Sequence, residues 1–288
     1  MTEHAILAEN LTYRYGDLTA VDGVNFNVPP GEVLGFLGPN GAGKTTTVRM
    51  LTGQVKPHAG RAMLLGRDIS QDPSSVQAHI GVCFETTNLY ENMTGVENLA
   101  LFARLFGIRG LDVQALLERV GLVGRGKDRV AGYSKGMKQR LMIARALVNQ
   151  PDILFLDEPT EGLDPVSAEA IRRLILEEKT RGATVFLTTH DMLEADRLSD
   201  HVAFISQGRI VALDTPHNLK QKYGKRLVRA QVEGEGGRLV EHEVTLDQAE
   251  TADALREMFS RKKVVTIHSE EASLEDIFIQ LTGERLTE

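Results

Sequence analysis

The chain has 288 residues, a net charge of −7 and apolar and charged fractions that are ordinary for a globular protein. This length allows one large domain and a smaller one, and the negative charge without a basic block argues against nucleic acid as a partner. Apolar runs long enough to span a membrane are absent from the sequence, and the first residues do not have the pattern of a signal peptide. Cys83 is the single cysteine, which excludes an internal disulfide and favours a cytoplasmic location.

The first segment predicts antiparallel strands. Residues 5–28 alternate short apolar and polar runs, as strands with one buried face do. Tyr15 precedes a glycine between two of these runs, and its ring could stack on a purine base. Stacking tolerates many geometries, so a half-buried strand tyrosine is the competing interpretation.

A glycine-rich turn follows, between an apolar strand and a helix predicted from Thr46 to Leu51. Its glycines and the Lys-Thr pair have the full spacing of a phosphate-binding P-loop. Glycines let successive N–H groups face one anion, and the N terminus of the next helix adds partial positive charge. Lys44 can reach the outer phosphates, and the Thr45 hydroxyl can bind Mg²⁺. The sequence therefore predicts a nucleoside triphosphate site formed by Gly38, Pro39, Asn40, Gly41, Ala42, Gly43, Lys44, Thr45 and Thr46.

After two further predicted strands, the spacing of the apolar residues becomes helical. This pattern predicts a helical subdomain over about residues 86–150. Ser134 is a suitable N-cap for the last of these helices, which we expect to end near Asn149, before Pro151.

Three candidate catalytic or metal-binding residues follow apolar strands. Asp157 and Glu158 come directly after residues 153–156, at the strand end where ligands of open α/β sheets bind. Asp157 is the expected Mg²⁺ carboxylate of a P-loop site, directly or through water. Glu158 could hold an attacking water and accept its proton. His190 follows the strand at 184–189 and could bind the γ-phosphate or that water, although a lone histidine is more often structural.

The chain after residue 220 predicts a second domain. Residues 223–226 indicate a joint, and residues 225–288 predict a small α+β domain without a chemical motif. Its expected order is two strands, a helix over Leu246–Phe259, a strand, and a helix over Leu274–Leu281.

In this order, the segments resemble the nucleotide-binding subunit of an ATP-binding cassette (ABC) transporter over residues 1–220. The resemblance implies an α/β fold, a P-loop NTPase with a RecA-like parallel sheet, an antiparallel β subdomain and a helical subdomain. The matching segments are the adenine-stacking aromatic at Tyr15, the Walker A loop at 38–46, the signature motif at Ser134–Arg140, the Walker B strand at 153–158, the D-loop with Asp164, and the switch histidine at His190.

The resemblance also implies a mechanism. Two copies would face head to tail, with each ATP between the P-loop of one copy and the signature motif of the other. Ser134 and the Gly136 N–H, at a helix N terminus, would bind the γ-phosphate on the partner's P-loop, and Asp164 would join these contacts. ATP hydrolysis would energise an integral membrane permease, for which residues 85–90 and the face bearing Leu101, Phe102 and Leu105 are the candidate contacts. The alternative, that most of these apolar residues form the core of the subdomain, stays open. The chain would then be peripheral on the cytoplasmic face of the membrane.

Two motifs depart from the family pattern. The signature motif has Tyr133, Lys135 and Met137 where leucine, glycine and glutamine are common, a variant found among export-type cassettes. Glu85 stands at the position of the Q-loop glutamine, where it could bind Mg²⁺ but adds negative charge near the γ-phosphate. The ending Ser273–Phe278 also resembles the drug and antibiotic export branch, and the cargo stays open.

Two alternatives belong to other functional classes. A cassette ATPase that acts on ribosomes or DNA usually has two cassettes or a long coiled coil between the Walker motifs, and the sequence has neither. A nucleotide-dependent switch without turnover would not need Glu158 and His190. Export through a separate permease is therefore the preferred hypothesis.

Overall fold

A computed structural model describes residues 3–224, 227–233, 238–246, 250–261 and 263–284. The chain forms two compact units, the first ending at Leu213 and the second beginning at Asp214. The helix Pro216–Tyr223 is therefore part of the second unit, whereas the sequence placed the boundary after residue 220. Part of the predicted joint, residues 225–226, lies outside the described residues.

The first unit contains two sheets and the helices that cover them. Its elements in chain order are β1 (Ile6–Tyr15), β2 (Leu18–Val28), β3 (Val33–Leu37), α1 (Lys44–Leu51), β4 (Ala59–Leu64), β5 (Arg67–Asp68), α2 (Pro73–Gln77), β6 (Ile80–Cys83), α3 (Gly95–Leu105), α4 (Val113–Arg119), the 3₁₀ turn Val130–Gly132, α5 (Lys135–Ala146), β7 (Ile153–Asp157), α6 (Pro165–Arg181), β8 (Thr184–Thr189), α7 (Met192–Leu198), β9 (His201–Ser206) and β10 (Arg209–Asp214).

The sheets confirm the predicted α/β class. A four-stranded sheet has the order β2-β1-β4-β5, with β1 antiparallel to both of its neighbours. A six-stranded sheet has the order β10-β9-β3-β8-β7-β6, and the pairs from β9 to β6 are parallel. Strands β3, β7 and β8 are buried along their whole length, as central strands of a parallel sheet are expected to be.

An aromatic cluster packs the four-stranded sheet against the six-stranded sheet. The ring of Phe186 lies 5.2–5.7 Å from the rings of Phe26, Phe36 and Phe155. All four side chains are buried, and burial of each contributes roughly 1.5–3 kcal/mol.

The register of the parallel strands aligns their C-terminal ends. Leu37 at the end of β3 pairs with Thr189 at the end of β8, and Asp157 at the end of β7 pairs with Thr188. The segments that follow these three strands therefore leave the sheet on the same side, at the C-terminal ends of the strands. This alignment brings the predicted P-loop, Glu158 and His190 to the same place.

The helical subdomain is built on α3, α4 and α5, which share a core that includes Leu99, Leu117 and Leu141. Helix α5 ends at Ala146, earlier than predicted, and the backbone reaches a left-handed φ of 48° at Gln150, directly before Pro151. Arg119 of α4 forms an ion pair with the buried Glu178 of α6, 2.6 Å from Nη2 to Oε1, which links this subdomain to the main sheet.

The second unit is α+β, as predicted. It contains α8 (Pro216–Tyr223), β11 (Leu227–Glu233), β12 (Leu239–Thr245), α9 (Thr251–Arg261), β13 (Lys263–Glu270) and α10 (Leu274–Thr282). Its sheet is antiparallel with β11 in the centre. The helix predicted from Leu246 begins at Thr251 instead, and residues 247–249 lie outside the described part.

Within the described residues, no helix combines the length and the apolar character that crossing a bilayer requires.

Candidate functional site

The turn between β3 and α1 has a backbone that only glycine fits at two positions. Gly43 has a φ of 109°, and a Cβ there would lie 2.5 Å from the carbonyl oxygen of Ala20. A Cβ on Gly38 would lie 2.2 Å from the carbonyl oxygen of Ile205. Helix α1 begins at Lys44, earlier than predicted, so its N terminus opens directly from this loop. Free N–H groups at such a terminus attract anions.

The Lys44 side chain is buried and contacts both its own loop and Glu158, which follows β7. Its Nζ donates to the carbonyl oxygens of Gly38 at 2.6 Å and Pro39 at 3.2 Å. The same atom lies 3.1 Å from Glu158 Oε1. A buried ammonium paired with a buried carboxylate is stable only when both have further polar contacts, and Lys44 has them in the loop carbonyls.

Glu158 lies between a cation and an imidazole. Its Oε1 contacts Lys44, and its Oε2 lies 3.0 Å from His190 Nδ1 and accepts from the His190 backbone N–H at 3.3 Å. Its φ of 49° is unusual for a residue other than glycine, and the Glu158 N–H donates to the Thr188 carbonyl at 3.1 Å. The chain thus turns sharply at Glu158. This turn directs the carboxylate toward the groups at the C-terminal ends of the strands instead of into the core. A carboxylate held this way can accept a proton from water.

Asp157 is fully buried beneath the loop. Its Oδ1 accepts from the Thr188 hydroxyl at 2.5 Å, whereas its Oδ2 makes no hydrogen bond among the described residues. Burial raises the pKa of Asp157, and the hydroxyls of Thr188 and Thr45 offset part of that rise. A buried carboxylate oxygen without a partner, beside a threonine hydroxyl, suits a hard cation such as Mg²⁺.

Within the described ranges, no group of three or more His, Cys, Asp and Glu side chains could hold a metal ion. Proteins usually bind Mg²⁺ with one or two carboxylates and take the rest of the shell from water and substrate phosphates. The buried Oδ2 of Asp157, which has no hydrogen-bond partner in the described part of the chain, fits such an ion.

The loop, Lys44 and Glu158 line a cavity of about 260 Å³, whereas Asp157 and His190 do not contribute to its wall. Glu85 is part of its wall, and burial, followed by the charges of Glu161, Asp157 and Glu158, raises the pKa of Glu85. Sequence reasoning missed Ala20, which reaches the loop from β2 through a tertiary contact that no motif marks. The lining residues are Ala20, Pro39, Asn40, Gly41, Gly43, Lys44, Thr45, Thr46, Glu85 and Glu158.

The signature residues and Asp164 form a second cluster that does not line this cavity. Ser134 is the N-cap of α5 and accepts from the Met137 N–H at 3.3 Å. Asp164 caps α6 and accepts from the Ser167 N–H at 2.9 Å, and these Ser167 contacts lower the pKa of Asp164. A Cβ on Gly136 would lie 2.9 Å from Ser167 Oγ and 3.8 Å from Asp164 Oδ2. Two helix N termini are thus adjacent.

Tyr15 also lies outside the cavity wall. It is the last residue of β1, its ring packs edge-on at 4.9 Å from that of Tyr13, and it is 44% exposed. The ring therefore keeps an accessible face, which both interpretations of this residue allow.

A larger cavity, of about 560 Å³, lies between the helical subdomain and the strand β6. Phe84, Tyr90, Phe102 and Phe106 contribute rings to its wall, but Leu101 and Leu105 do not line it. Arg145 is buried beneath, donates to the Asn88 carbonyl at 2.8 Å, and lies 4.7 Å from the centre of the Phe102 ring. This cavity, called the groove below, combines aromatic walls with a cationic floor.

Comparisons with known proteins agree with this geometry. Residues 21–161 match the family model described as ABC transporter. A fluoroquinolones export ATP-binding protein of Mycobacterium tuberculosis is 45% identical over 284 residues, which cover 98% of this chain and 94% of that protein. The bacitracin transport ATP-binding protein of Bacillus licheniformis is 36% identical, with 96% of this chain and 97% of that protein covered. A dimeric ATP-binding cassette in a post-hydrolysis state, bound to ADP and Pi, has a TM-score of 0.67 and 27% identity, with 73% of this chain and 98% of that chain covered.

Proposed function

Because this chain belongs to the ABC transporter ATP-binding proteins and is an ATPase cassette, we propose which of its residues hydrolyse ATP and with which partners they act. Glu158 is the general base, and His190 holds its carboxylate in place and binds the γ-phosphate. The main support is the position of Glu158, with one oxygen on Lys44 and the other on His190, in the wall of the P-loop cavity.

The phosphates bind in the loop from Gly38 to Thr46, where Lys44 exchanges its contacts with the loop carbonyls for contacts with phosphate oxygens. Thr45, Asp157 and Glu85 would hold Mg²⁺. When bound, Mg²⁺ neutralises phosphate charge and fixes the orientation of the chain of phosphates. Glu158, released from the ammonium of Lys44, then accepts the proton of the attacking water.

The site is completed by a second copy of this chain. Ser134, Gly136 and Asp164 lie outside the cavity of their own copy, at adjacent helix N termini that suit an anion. We place them against the ATP held by the P-loop of the partner, in a head-to-tail pair, with Tyr15 stacked on the adenine. The dimeric state of the similar ADP-bound cassette supports this arrangement.

The membrane partner is an integral permease that inserts a short helix into the groove. Aromatic walls suit an apolar helix face, and the buried Arg145 suits a carbonyl or carboxylate at the end of that helix. The chain then acts at the cytoplasmic face of the membrane. The relatives named for fluoroquinolone export and bacitracin transport support export, with a drug or an antibiotic as the cargo.

Co-purification tests whether the chain binds a membrane permease through the groove. Tagged wild-type chain, isolated from detergent-solubilised membranes, is expected to recover a multi-spanning protein. Phe106→Asp places a charge in the groove, and this variant is expected not to recover the multi-spanning protein. The control is Leu176→Asp, at an apolar residue of α6 with a similar exposed fraction, 42% against 39% for Phe106. This control is expected to recover the protein as the wild type does. Recovery of ribosomal proteins instead would favour the alternative class, and equal recovery by both variants would exclude the groove as the docking site.

A further inference from the structure

A buried carboxylate outside the cavity connects the segments that carry Glu158 and His190. Glu194 lies on α7 and is fully inaccessible to solvent. Its Oε2 accepts from the hydroxyl of Thr160 at 2.8 Å, and its Oε1 lies 3.3 Å from Nε of Arg172. Each oxygen therefore has a partner on a different segment, one in the turn after β7 and the other on α6.

The partners of Glu194 are close in sequence to the catalytic groups. Thr160 is separated from Glu158 by Pro159 alone, and the turn between them is tight, with the Glu161 N–H donating to the Glu158 carbonyl at 3.3 Å. On the other side, α7 starts two residues after His190, and its N-cap Asp191 accepts from the Glu194 N–H at 3.1 Å. One side chain thus connects the turn after Glu158 to the helix that follows the histidine.

A carboxylate in this position is costly for folding. Burial, and to a smaller extent the charge of Asp191, raises the pKa of Glu194, whereas the Thr160 hydroxyl, the Arg172 charge and the Thr189 hydroxyl oppose that rise. A buried ion pair often contributes no more stability than well-packed apolar residues of the same volume. What it does supply is a fixed geometry, because a charged group with two partners tolerates fewer arrangements than an apolar contact.

We propose that Glu194 is a positioning residue for ATP hydrolysis. By binding Thr160 and Arg172 it fixes the turn after β7 relative to α7, and so keeps the Glu158 carboxylate 3.0 Å from His190 Nδ1. Glu194 does not line the cavity, so its action on ATP is indirect. The inference rests on the catalytic roles proposed above for Glu158 and His190.

Steady-state kinetics of three variants test this role. Glu194→Gln replaces one acceptor oxygen by a donor, so the side chain cannot accept from both partners. Thr160→Val removes only the hydroxyl. Each is expected to lower kcat by about tenfold or more while KM for ATP changes less than about twofold, since the lost contact orders the hydrolytic groups and not the phosphate loop. Thr160→Ser restores the hydroxyl and is expected to restore kcat.

Glu194 and Thr160 also allow a double-mutant cycle. If both residues act through one contact, the double variant Glu194→Gln/Thr160→Val loses no more than the stronger single variant. Multiplied losses would mean that they act independently, which contradicts the proposal.

Glu178 is the matched control. It is a buried carboxylate on α6, paired with Arg119 at 2.6 Å and Arg181 at 2.8 Å, and neither partner is near Glu158 in sequence. Glu178→Gln is expected to lower thermal stability as Glu194→Gln does, yet to keep wild-type kcat at a temperature where every variant is folded. Equal loss of kcat in both, or wild-type kcat in Thr160→Val, would overturn the positioning role. Glu158→Gln in the same assay separates failure of the positioning role from failure of the proposed catalytic roles. Wild-type turnover in Glu158→Gln would overturn the assignment of Glu158 as the base.

Discussion

The two parts of this chain that we propose to face nucleotide differ in the contacts that their side chains make within one copy. In the P-loop cluster, defined as Lys44, Glu158 and His190, a buried lysine–glutamate ion pair contacts a half-buried imidazole across three parallel strands. In the signature cluster, defined as Ser134, Gly136 and Asp164, the polar side chains cap their own helices. The first cluster can perform chemistry on an anion, and the second can only bind one. This difference is the physical reason to expect that two copies share each site.

The largest expected effect is on the base. Glu158→Gln keeps the shape of the side chain but cannot accept a proton, so ATPase activity should fall by about 10²–10⁴-fold while ATP still binds. The bound ATP is then not removed, so this variant should elute as a dimer with ATP and Mg²⁺ in gel filtration. Glu161→Gln, an exposed acid in the same turn, is the control and should keep most activity. A monomer at every ATP concentration would argue against the shared site.

Lys44→Ala should weaken ATP binding itself. The ammonium supplies charge to the outer phosphates, and its loss also leaves the buried Oε1 of Glu158 without its partner, so a drop in affinity of at least about tenfold is expected. Equilibrium binding of a fluorescent ATP analogue measures it. Lys179→Ala, which breaks the ion pair with Asp200, is the control for loss of a lysine. Unchanged affinity in Lys44→Ala would contradict the loop assignment.

A charge in the signature cluster should separate turnover from binding. Ser134→Asp keeps a good N-cap on α5 but places a carboxylate where the partner's γ-phosphate would bind. Turnover should fall by about tenfold or more, with little change in the ATP affinity of the isolated chain. Ser273→Asp, at the N-cap of α10 in the second unit, makes the same change outside the signature motif and should leave turnover intact. Equal losses of affinity and turnover in Ser134→Asp would contradict the assignment of Ser134 to the ATP of the partner copy.

The smallest effect is expected at Glu85. Its carboxylate adds negative charge to the wall of the cavity, so Glu85→Gln should raise ATPase activity or leave it unchanged. Comparison of kcat with wild type at saturating Mg·ATP measures this. A loss of more than about tenfold, which is about 1.4 kcal/mol, would show that charge repulsion is not its main effect.

Much of the fold could be predicted because its signals are local. The continuous apolar runs of β3, β7 and β8, and the glycine spacing before Lys44, appear in the sequence without any tertiary information. The ends of elements were less accurate. Helix α5 was predicted to reach Asn149 because its apolar spacing continues past Ala146, where the backbone has already left the helix.

The contacts within the site could not be predicted in the same way. Ala20 reaches the loop, and Glu194 reaches Thr160, only because strands and helices distant in sequence pack together. A sequence motif identifies residues that bind the ligand themselves and lie close together in the chain. It does not identify a residue that acts through the contact of another residue. The second unit has neither kind of mark, so its α+β class was predicted without a role.

Mixing two inactive variants tests most directly whether two copies share the site. Lys44→Ala destroys the P-loop side and Ser134→Asp destroys the signature side, so each homodimer has no intact site. A mixed head-to-tail pair contains one intact site, formed by Lys44 of one copy and Ser134 of the other. An equal mixture with ATP and Mg²⁺ should therefore recover up to about a quarter of wild-type ATPase activity. A mixture no more active than the average of its two components would contradict the account.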